Sequence, residues 1–341
     1  MPSKITIYDV ASAAGVGIGT VSRVLNNHPN VTPETRERVR EVVKRLHYQP
    51  HAYAQRLARN HSETISAIIP FFTNYFFVEV LRGVQEDIGR LGYDLTLFGV
   101  NNVAQVESKI ARALQKGRAD GILFFSMKLP DKVVPRMREA GIPIVLVDSF
   151  HPKFDSISIA NEDGAYHATT YLIGLGHRNI GMINALQISV PAQERLQGYR
   201  RALESKGMSF SESLVKTGIN TKADGFNREA GYEAMMEFIK MGEQMPGAFF
   251  VSSDIQAIGA IAALTDNGFK VPEDVSIVGF DDIELASHMN LTTMRQPMYR
   301  MGHMAVERLA ARMSKPNLKV IHTTFLPELV VRGTCLPTDG R

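Results

Sequence analysis

Between Ile18 and Asn26 the chain carries a row of groups suited to reading a nucleic acid: Ile18, Gly19, Thr20, Ser22, Arg23 and Asn26. At helical spacing, short hydroxyls, an amide and a guanidinium match base edges and phosphate oxygens. Arg23 is the strongest base-reading candidate, because a guanidinium bonds guanine O6 and N7 together. Ile18 can touch a thymine methyl and Gly19 offers no side chain, so direct readout is sparse. Tyr8, Asn30, Thr32 and Thr35, with Ser22 and Asn26, suit phosphate contacts, although any one of them alone also reads as an ordinary solvated residue.

Such groups need a rigid helix pair to hold them, and ITIYDVASAAGVGIGTVSRVLN, from Ile5 to Asn26, has the spacing of a helix-turn-helix. Val10, Ala11 and Ala14 share one face of a first helix that runs into Gly15. Val21, Val24 and Leu25 form the inner face of a second. Ala11 is small where the helices meet, Gly15 tolerates positive φ at the turn, and Val21 is the apolar plug. Gly15 to Gly19 also has the look of a phosphate loop, but that loop follows a buried strand. Here a helix precedes it. A surface helical hairpin without a nucleic-acid role is the blander alternative.

Thr32 then caps a third helix, with Pro33 in its first position and Glu34 in its first turn. That helix carries Val39, Val42, Val43 and Leu46 and ends before Pro50. The next segment, HAYAQRLARN from His51 to Asn60, is basic, rich in alanine and too short for a stable isolated helix. It joins head to body either as a plain linker or as a helix that folds on DNA. Residues 1–60 hold nine Lys/Arg against four Asp/Glu, and the remainder 29 against 31. A basic head on a near-neutral body fits a phosphate-binding domain joined to a sensor.

From Glu63 onward apolar runs alternate with amphipathic helices. Ile65–Pro70, Tyr93–Val100, Gly121–Phe125 and Pro143–Asp148 read as buried strands, and a second series follows at Asn179–Asn184, Leu214–Ile219, Gly247–Ser252 and Val275–Phe280. Two such series predict an α/β body of two doubly wound parallel-sheet halves. Segments RGVQEDIGRLGYDL at Arg82 and QGYRRALESKGMSF at Gln197 echo each other. A ligand cleft is expected between the halves, at the carboxyl ends of strands. PFFTNYFF, Pro70 to Phe77, ends the first strand there, so its aromatic rings suit stacking on a ligand or simple core packing equally well. Asp148 and Asp254 also end strands, and Asp254 can equally cap the next helix. In Met298–Met313, the stripe Met301, Ala305, Leu309 and Met313 reads as core.

The chain resembles the lactose-repressor/galactose-repressor family of bacterial transcription regulators. The resemblance rests on D-V-A-x-x-A-G-V-x-x-x-T-V-S-R-V-L-N at Asp9 to Asn26, Thr32-Pro33, Tyr48-Gln49-Pro50, GHRNIG at Gly176 and VPEDVSIVGFDD at Val271. It implies a DNA-binding head at 1–50, a hinge at 51–62, and an effector-binding and dimerisation body at 63–341 that resembles periplasmic sugar-binding proteins. Lobe one would span about 63–162 and 292–322, and lobe two about 163–291 and 323–341. Tyr48 joins the DNA-binding set. Leu57, with Ala54 beside it, aligns with the leucine that wedges into a minor-groove step. Arg195, Phe226 and Asp281 match positions that commonly bind effector in the family, and Phe72, Phe76, Asp148 and Ser253, from the strand ends at the cleft, complete the candidate effector set.

Several positions depart from the family pattern. Gly17 stands where serine is usual, Tyr75 where proline is usual, Ser149 where arginine is frequent, Ala160 where aspartate is common and Ser253 where asparagine is common. The expected function is a dimeric repressor that binds a near-palindromic operator and is switched by a small effector, a sugar or related metabolite. The alternative is a catabolite-control-type regulator whose co-regulator is a phosphocarrier protein. Dimerisation is expected through the helix Tyr75–Leu91 and parts of lobe two, without a coiled-coil tail.

Composition narrows the rest. The 341 residues, 44% hydrophobic and 21% charged, describe an ordinary globular protein with room for two or three domains. The sequence shows neither an export leader nor an apolar run near ~18 residues, which predicts a cytoplasmic, nucleoid-associated protein without membrane contact. Cys335 is the single cysteine, which rules out an internal disulfide and a multi-cysteine metal site. Neither a hydrolytic triad nor a metal-ligand spacing is evident, so no enzyme activity, metal or cofactor is expected.

Overall fold

The computed structural model describes residues 5–48, 61–101, 103–220 and 222–338. They form two units, each described by itself: an N-terminal head together with the turn 115–120, and a body made of the rest. The expected hinge residues Ala54 and Leu57 lie outside the described residues.

In the head, α1 (Ile7–Ala14), α2 (Ile18–Leu25) and α3 (Pro33–Arg45) follow in sequence. The Asp9 carboxylate accepts from the Thr6 main-chain nitrogen at 2.7 Å and its hydroxyl at 2.8 Å, placing negative charge at the start of α1. Gly15, at φ 62°, ends α1 in the left-handed region that a Cβ disfavours. Thr32 Oγ1 accepts from the Thr35 nitrogen at the start of α3, and Pro33 fills the first turn. Helices of eight residues do not persist alone. Burial of Val10, Ala11, Ala14, Val21, Val24, Val39 and Val42 in one core holds them, each valine contributing about 1.5–3 kcal/mol.

The body begins with β1 (Thr64–Pro70), α4 (Tyr75–Arg90), β2 (Asp94–Val100), α5 (Val106–Ala113), β3 (Gly121–Phe125), α6 (Val134–Glu139), β4 (Ile144–Val147) and β5 (Asp155–Ile159). Next come α7 (Asn161–Gly174), β6 (Ile180–Ile183), α8 (Val190–Ser205), β7 (Val215–Lys216), α9 (Arg228–Ile239), β8 (Ala248–Val251), α10 (Asp254–Asp266) and β9 (Ser276–Asp281). It finishes with α11 (Glu284–His288), β10 (Thr292–Arg295), α12 (Met298–Ser314), β11 (His322–Phe325) and β12 (Glu328–Val330).

These strands make two six-stranded sheets, ordered β11-β5-β4-β3-β1-β2 and β12-β10-β9-β8-β6-β7. In the first, β3, β4, β5 and β11 run parallel to β1. In the second, β10, β9, β8, β6 and β7 run parallel and β12 runs against its neighbour, β10. The central strands are buried on both faces, which is why they read as unbroken apolar runs.

Two expected crossings between lobes need correction. The chain leaves sheet two after Arg295 rather than near 291, because β10 pairs with β9 from Thr292 to Arg295. It leaves sheet one after Phe325 rather than near 322, because β11 pairs with β5 from His322 to Phe325. The expected strand Leu214–Ile219 shrinks to β7, two residues at a sheet edge with one partner, β6. The Met301, Ala305 and Leu309 stripe of α12 is fully buried, with Met313 packed beside it. Helix α12 lies close against α4, since a Cβ on Gly83 would fall 2.1 Å from the Tyr299 carbonyl oxygen.

Candidate DNA-reading surface and ligand cleft

The two apolar faces of the head helices turn inward, leaving the other face of α2 outward. Arg23, Gly19 and Ile18 are exposed, and Thr20, Ser22 and Asn26 are half-buried. Tyr8 is exposed on α1. Asn26 donates from Nδ2 to the Ser22 carbonyl at 2.9 Å, so part of its amide satisfies the end of α2. The Thr32 and Thr35 hydroxyls lie 2.9 Å apart at the cap of α3. Asn30 is exposed in the α2–α3 loop, its main-chain nitrogen donating to His28 Nδ1. The Tyr48 ring packs half-buried on the head core, and burial raises its phenol pKa. Gly17 caps α2 without a side chain.

Sequence reading gave no role to Arg36 and Arg40. They tie the loop down by donating to the His28 carbonyl at 2.7 Å and to Asn27 Oδ1 at 3.1 Å. Their separation of four residues on α3 was the available signal.

In the body, the carboxyl ends of β1, β3, β4, β8 and β9 converge on a cleft between the sheets, as parallel α/β architecture dictates. The cleft, about 520 Å³ with its open mouth, is lined by aromatic rings of Phe71, Phe76, Phe77 and Phe226 and by the polar residues Asn74, Ser126, Asp148, Ser189, Arg195, Asp224, Ser253 and Asp281. Aromatic walls with a few convergent polar groups are the usual lining of a small-molecule site. Strand ends at this site carry left-handed backbone at Phe71 (φ 44°), Ser126 (45°) and Asp148 (50°), while Asp281 reaches φ 126°. Such strain persists only where the surroundings hold it, and it aims these side chains off the strands.

Arg195, on α8, is buried and its guanidinium is held on several sides. Nε donates to Asn161 Oδ1 at 3.0 Å and Nη1 to the Ser252 carbonyl at 2.5 Å. The guanidinium lies 3.8 Å from the centre of the Phe280 ring and 5.8 Å from that of Phe226, with Asp281 at 3.7 Å. Asp281 also accepts from Gln296 Nε2 at 2.5 Å. Burial pushes its pKa up to about 7, against the lowering effect of Arg195. Asp148 accepts from Ser126 Oγ at 2.7 Å, and burial raises its pKa to about 6. Asp254 is set deeper, accepting from Thr293 Oγ1 at 2.5 Å and the Ile283 nitrogen at 3.0 Å. Burial and the neighbouring Asp281 raise it strongly.

Six of the seven residues expected around the effector therefore line one cleft: Phe76, Asp148, Arg195, Phe226, Ser253 and Asp281. Phe72 does not. Its ring is 45% exposed and lies over Gly99 of β2, because the left-handed turn at Phe71 sends consecutive side chains apart. Phe71 is the ring in the cleft. Ser253 caps α10 through Gln256, and Ser149 donates to the Met127 carbonyl. Asn74, Ser126, Ser189 and Asp224 were missed. The rule that ligands meet strand ends marks Ser126, directly after β3.

Two family models match the chain: bacterial regulatory proteins of the lacI family over residues 6–51, and a periplasmic binding protein-like domain over 169–335. Catabolite control protein A of Priestia megaterium is 33% identical over 320 residues, covering 92% of this chain and 94% of the relative. The chain belongs to the LacI family. The transcriptional repressor PurR of Vibrio campbellii is 35% identical over 334 residues, with 96% and 98% covered. Among solved LacI-family structures, the lac repressor dimer bound to operator and the anti-inducer ONPF superposes with a TM-score of 0.80. It shares 27% identity and covers 98% of this chain and 100% of that one.

As a LacI-family protein the chain is a DNA-binding transcription regulator with a ligand-binding body. Its LacI-family relatives are regulators rather than enzymes. Among the described residues no helix is long and apolar enough to cross a membrane.

Proposed function

We propose that the chain is a repressor that binds a near-palindromic operator as a homodimer, and that a small metabolite in the cleft sets its affinity for DNA. One observation carries the reading: a single chain holds both a head with an outward Arg23 face and a two-lobed body with a polar, aromatic cleft. A dimer of one-headed chains presents two reading helices to two half-sites. Exposed Tyr75, Val78 and Leu91 on or beside α4 supply apolar surface for such a dimer. Regulation follows from linkage. A ligand that favours one arrangement of the lobes shifts DNA affinity by the same coupling energy, typically ~1–3 kcal/mol.

The reading assigns no catalysis to the body. Ser252 Oγ donates to Asn184 Oδ1 inside lobe two, His177 Nε2 lies 3.1 Å from the Leu336 carbonyl oxygen, and His303 pairs with Asp87 in lobe one. These serine and histidine groups sit on separate elements, apart from the arrangement acyl transfer needs. Calorimetry of the full chain with a metabolite panel, with and without its selected DNA site, tests the proposal. At least one metabolite should bind and change DNA affinity several-fold. A panel that leaves DNA affinity unchanged overturns the effector reading.

A further inference from the structure

The charges that line the cleft do not cancel. Its ionisable groups are Asp148, Asp224, Asp281 and Arg195. Arg195 is already bound to Asn161 and Ser252, stacked on Phe280 and set 3.7 Å from Asp281, so those two charges answer each other. Among the described residues Asp148 accepts from one neutral donor, Ser126, and makes no ion pair; the charge of Arg195 lowers its pKa, but less than burial raises it. Among the described residues the half-buried Asp224 carboxylate has neither a hydrogen-bond donor nor an ion-pair partner, and burial raises its pKa. Glu194, held by Asn161 at 3.0 Å, adds negative potential near Asp148. Lys128 lines the adjoining hollow that Ser126 and Asp224 share, but it is solvent-exposed and screened there and forms no ion pair with Asp224.

Resting on the effector reading above, we propose that the cleft selects a ligand bearing an organic cation. This would be an ammonium or amidinium on a ring of sugar or nucleobase size, directed at Asp148 and Asp224 beside the faces of Phe71, Phe76 and Phe226. Carboxylates together with aromatic rings are the chemistry that recognises such a group. The carboxylates form charge-assisted hydrogen bonds, and the ring faces attract positive charge. A neutral polyol satisfies the carboxylate lone pairs but leaves their charge buried without compensation. An anion meets like charge.

The test is calorimetry of the full chain at pH 7.5 with matched pairs: glucosamine against glucose, galactosamine against galactose, and benzamidine against benzamide. In at least one pair the charged member should bind at least tenfold tighter. Asp148→Asn and Asp224→Asn should each erase most of that preference, because removing the carboxylate charge weakens the charged member and not the neutral one. Asparagine tolerates the left-handed backbone at both positions, φ 50° and 52°, so both variants should fold and melt no lower than the parent. Neutral members binding as tightly as charged ones overturn this inference and leave the effector reading intact. Charged members that do not bind at millimolar concentration overturn it as well. Failure of the effector reading shows separately, as DNA affinity indifferent to every metabolite in the panel.

Discussion

The side-chain amide of Asn74 donates to the main-chain carbonyl of Phe226 at 3.3 Å, bridging lobe one to lobe two at the cleft. The same residue caps α4, its Oδ1 accepting from the Phe76 nitrogen at 3.0 Å. One side chain thus fixes a helix start and holds the facing loop. Asn74→Ser separates the two roles, because serine is as good a cap but cannot span to Phe226. Stability should change by less than about 0.5 kcal/mol. Amide exchange at Leu186 and Asn227, which bond to the main chain of the loop carrying Phe226, should quicken. Unchanged exchange with a loss above ~1 kcal/mol would assign Asn74 to capping alone.

Arg23→Ala should flatten sequence preference, costing about 1–3 kcal/mol on a selected DNA site if the guanidinium reads a guanine. The residue is exposed on α2 while Val21 and Val24 on either side are buried, so the variant should fold normally. Affinities for the selected site and for a scrambled duplex, measured at one salt concentration, check this. An equal loss on both makes Arg23 a phosphate contact.

Asp148 and Asp281 make stability depend on pH in a definite direction. Folding raises their pKa from 3.8 to about 6 and about 7. Between pH 3.8 and those values the folded chain holds protons that the unfolded chain has released, so stability falls as pH rises through the window. Groups acting on Asp148 are Ser126 and Arg195, which lower its pKa, and Glu194, which raises it. Asp148→Asn keeps an acceptor for Ser126 and removes the titration. Its melting temperature should exceed the parent's at pH 7.5 by more than at pH 4.5. A constant difference across that range would mean that Asp148 stays ionised throughout.

Gly83→Ala should destabilise lobe one. Its Cβ would meet the Tyr299 carbonyl oxygen at 2.1 Å, and that atom is main chain that cannot swing away. Pushing α4 from α12 costs about 1–3 kcal/mol or more. Gly89→Ala, on the same helix with open space around it, is the control and should be neutral or mildly stabilising. Equal melting of the two variants would contradict the close crossing.

Much of this architecture was legible because strong local signals agreed with one another. Val10, Ala11, Gly15 and Val21 mark the helix pair, and the apolar run Ile65–Pro70 marks a strand buried on both faces. Strands β5, β10, β11 and β12 were missed: DSISI, TTMR and HTTF are short and largely polar, ELV is only three residues, and tertiary pairing rather than apolar content makes them strands. The crossings near 291 and 322 were placed too early for the same reason. In the cleft, Arg195 and Asp281 stood out by motif, while Asp224 arrives on a single 3-10 turn, Lys222–Gly225, that carries no motif. Phe72 was chosen over Phe71 because a left-handed residue at Phe71 cannot be read from a run of phenylalanines.

In the proposed function, α2 is a sequence-reading helix used twice by a dimer. Selection of bound duplexes from a random pool by the full chain, followed by sedimentation of the complex, measures both features at once. The expected result is an enriched site of two inverted half-sites occupied by two chains. A pool without sequence enrichment, or a single chain saturating the enriched site, would contradict it.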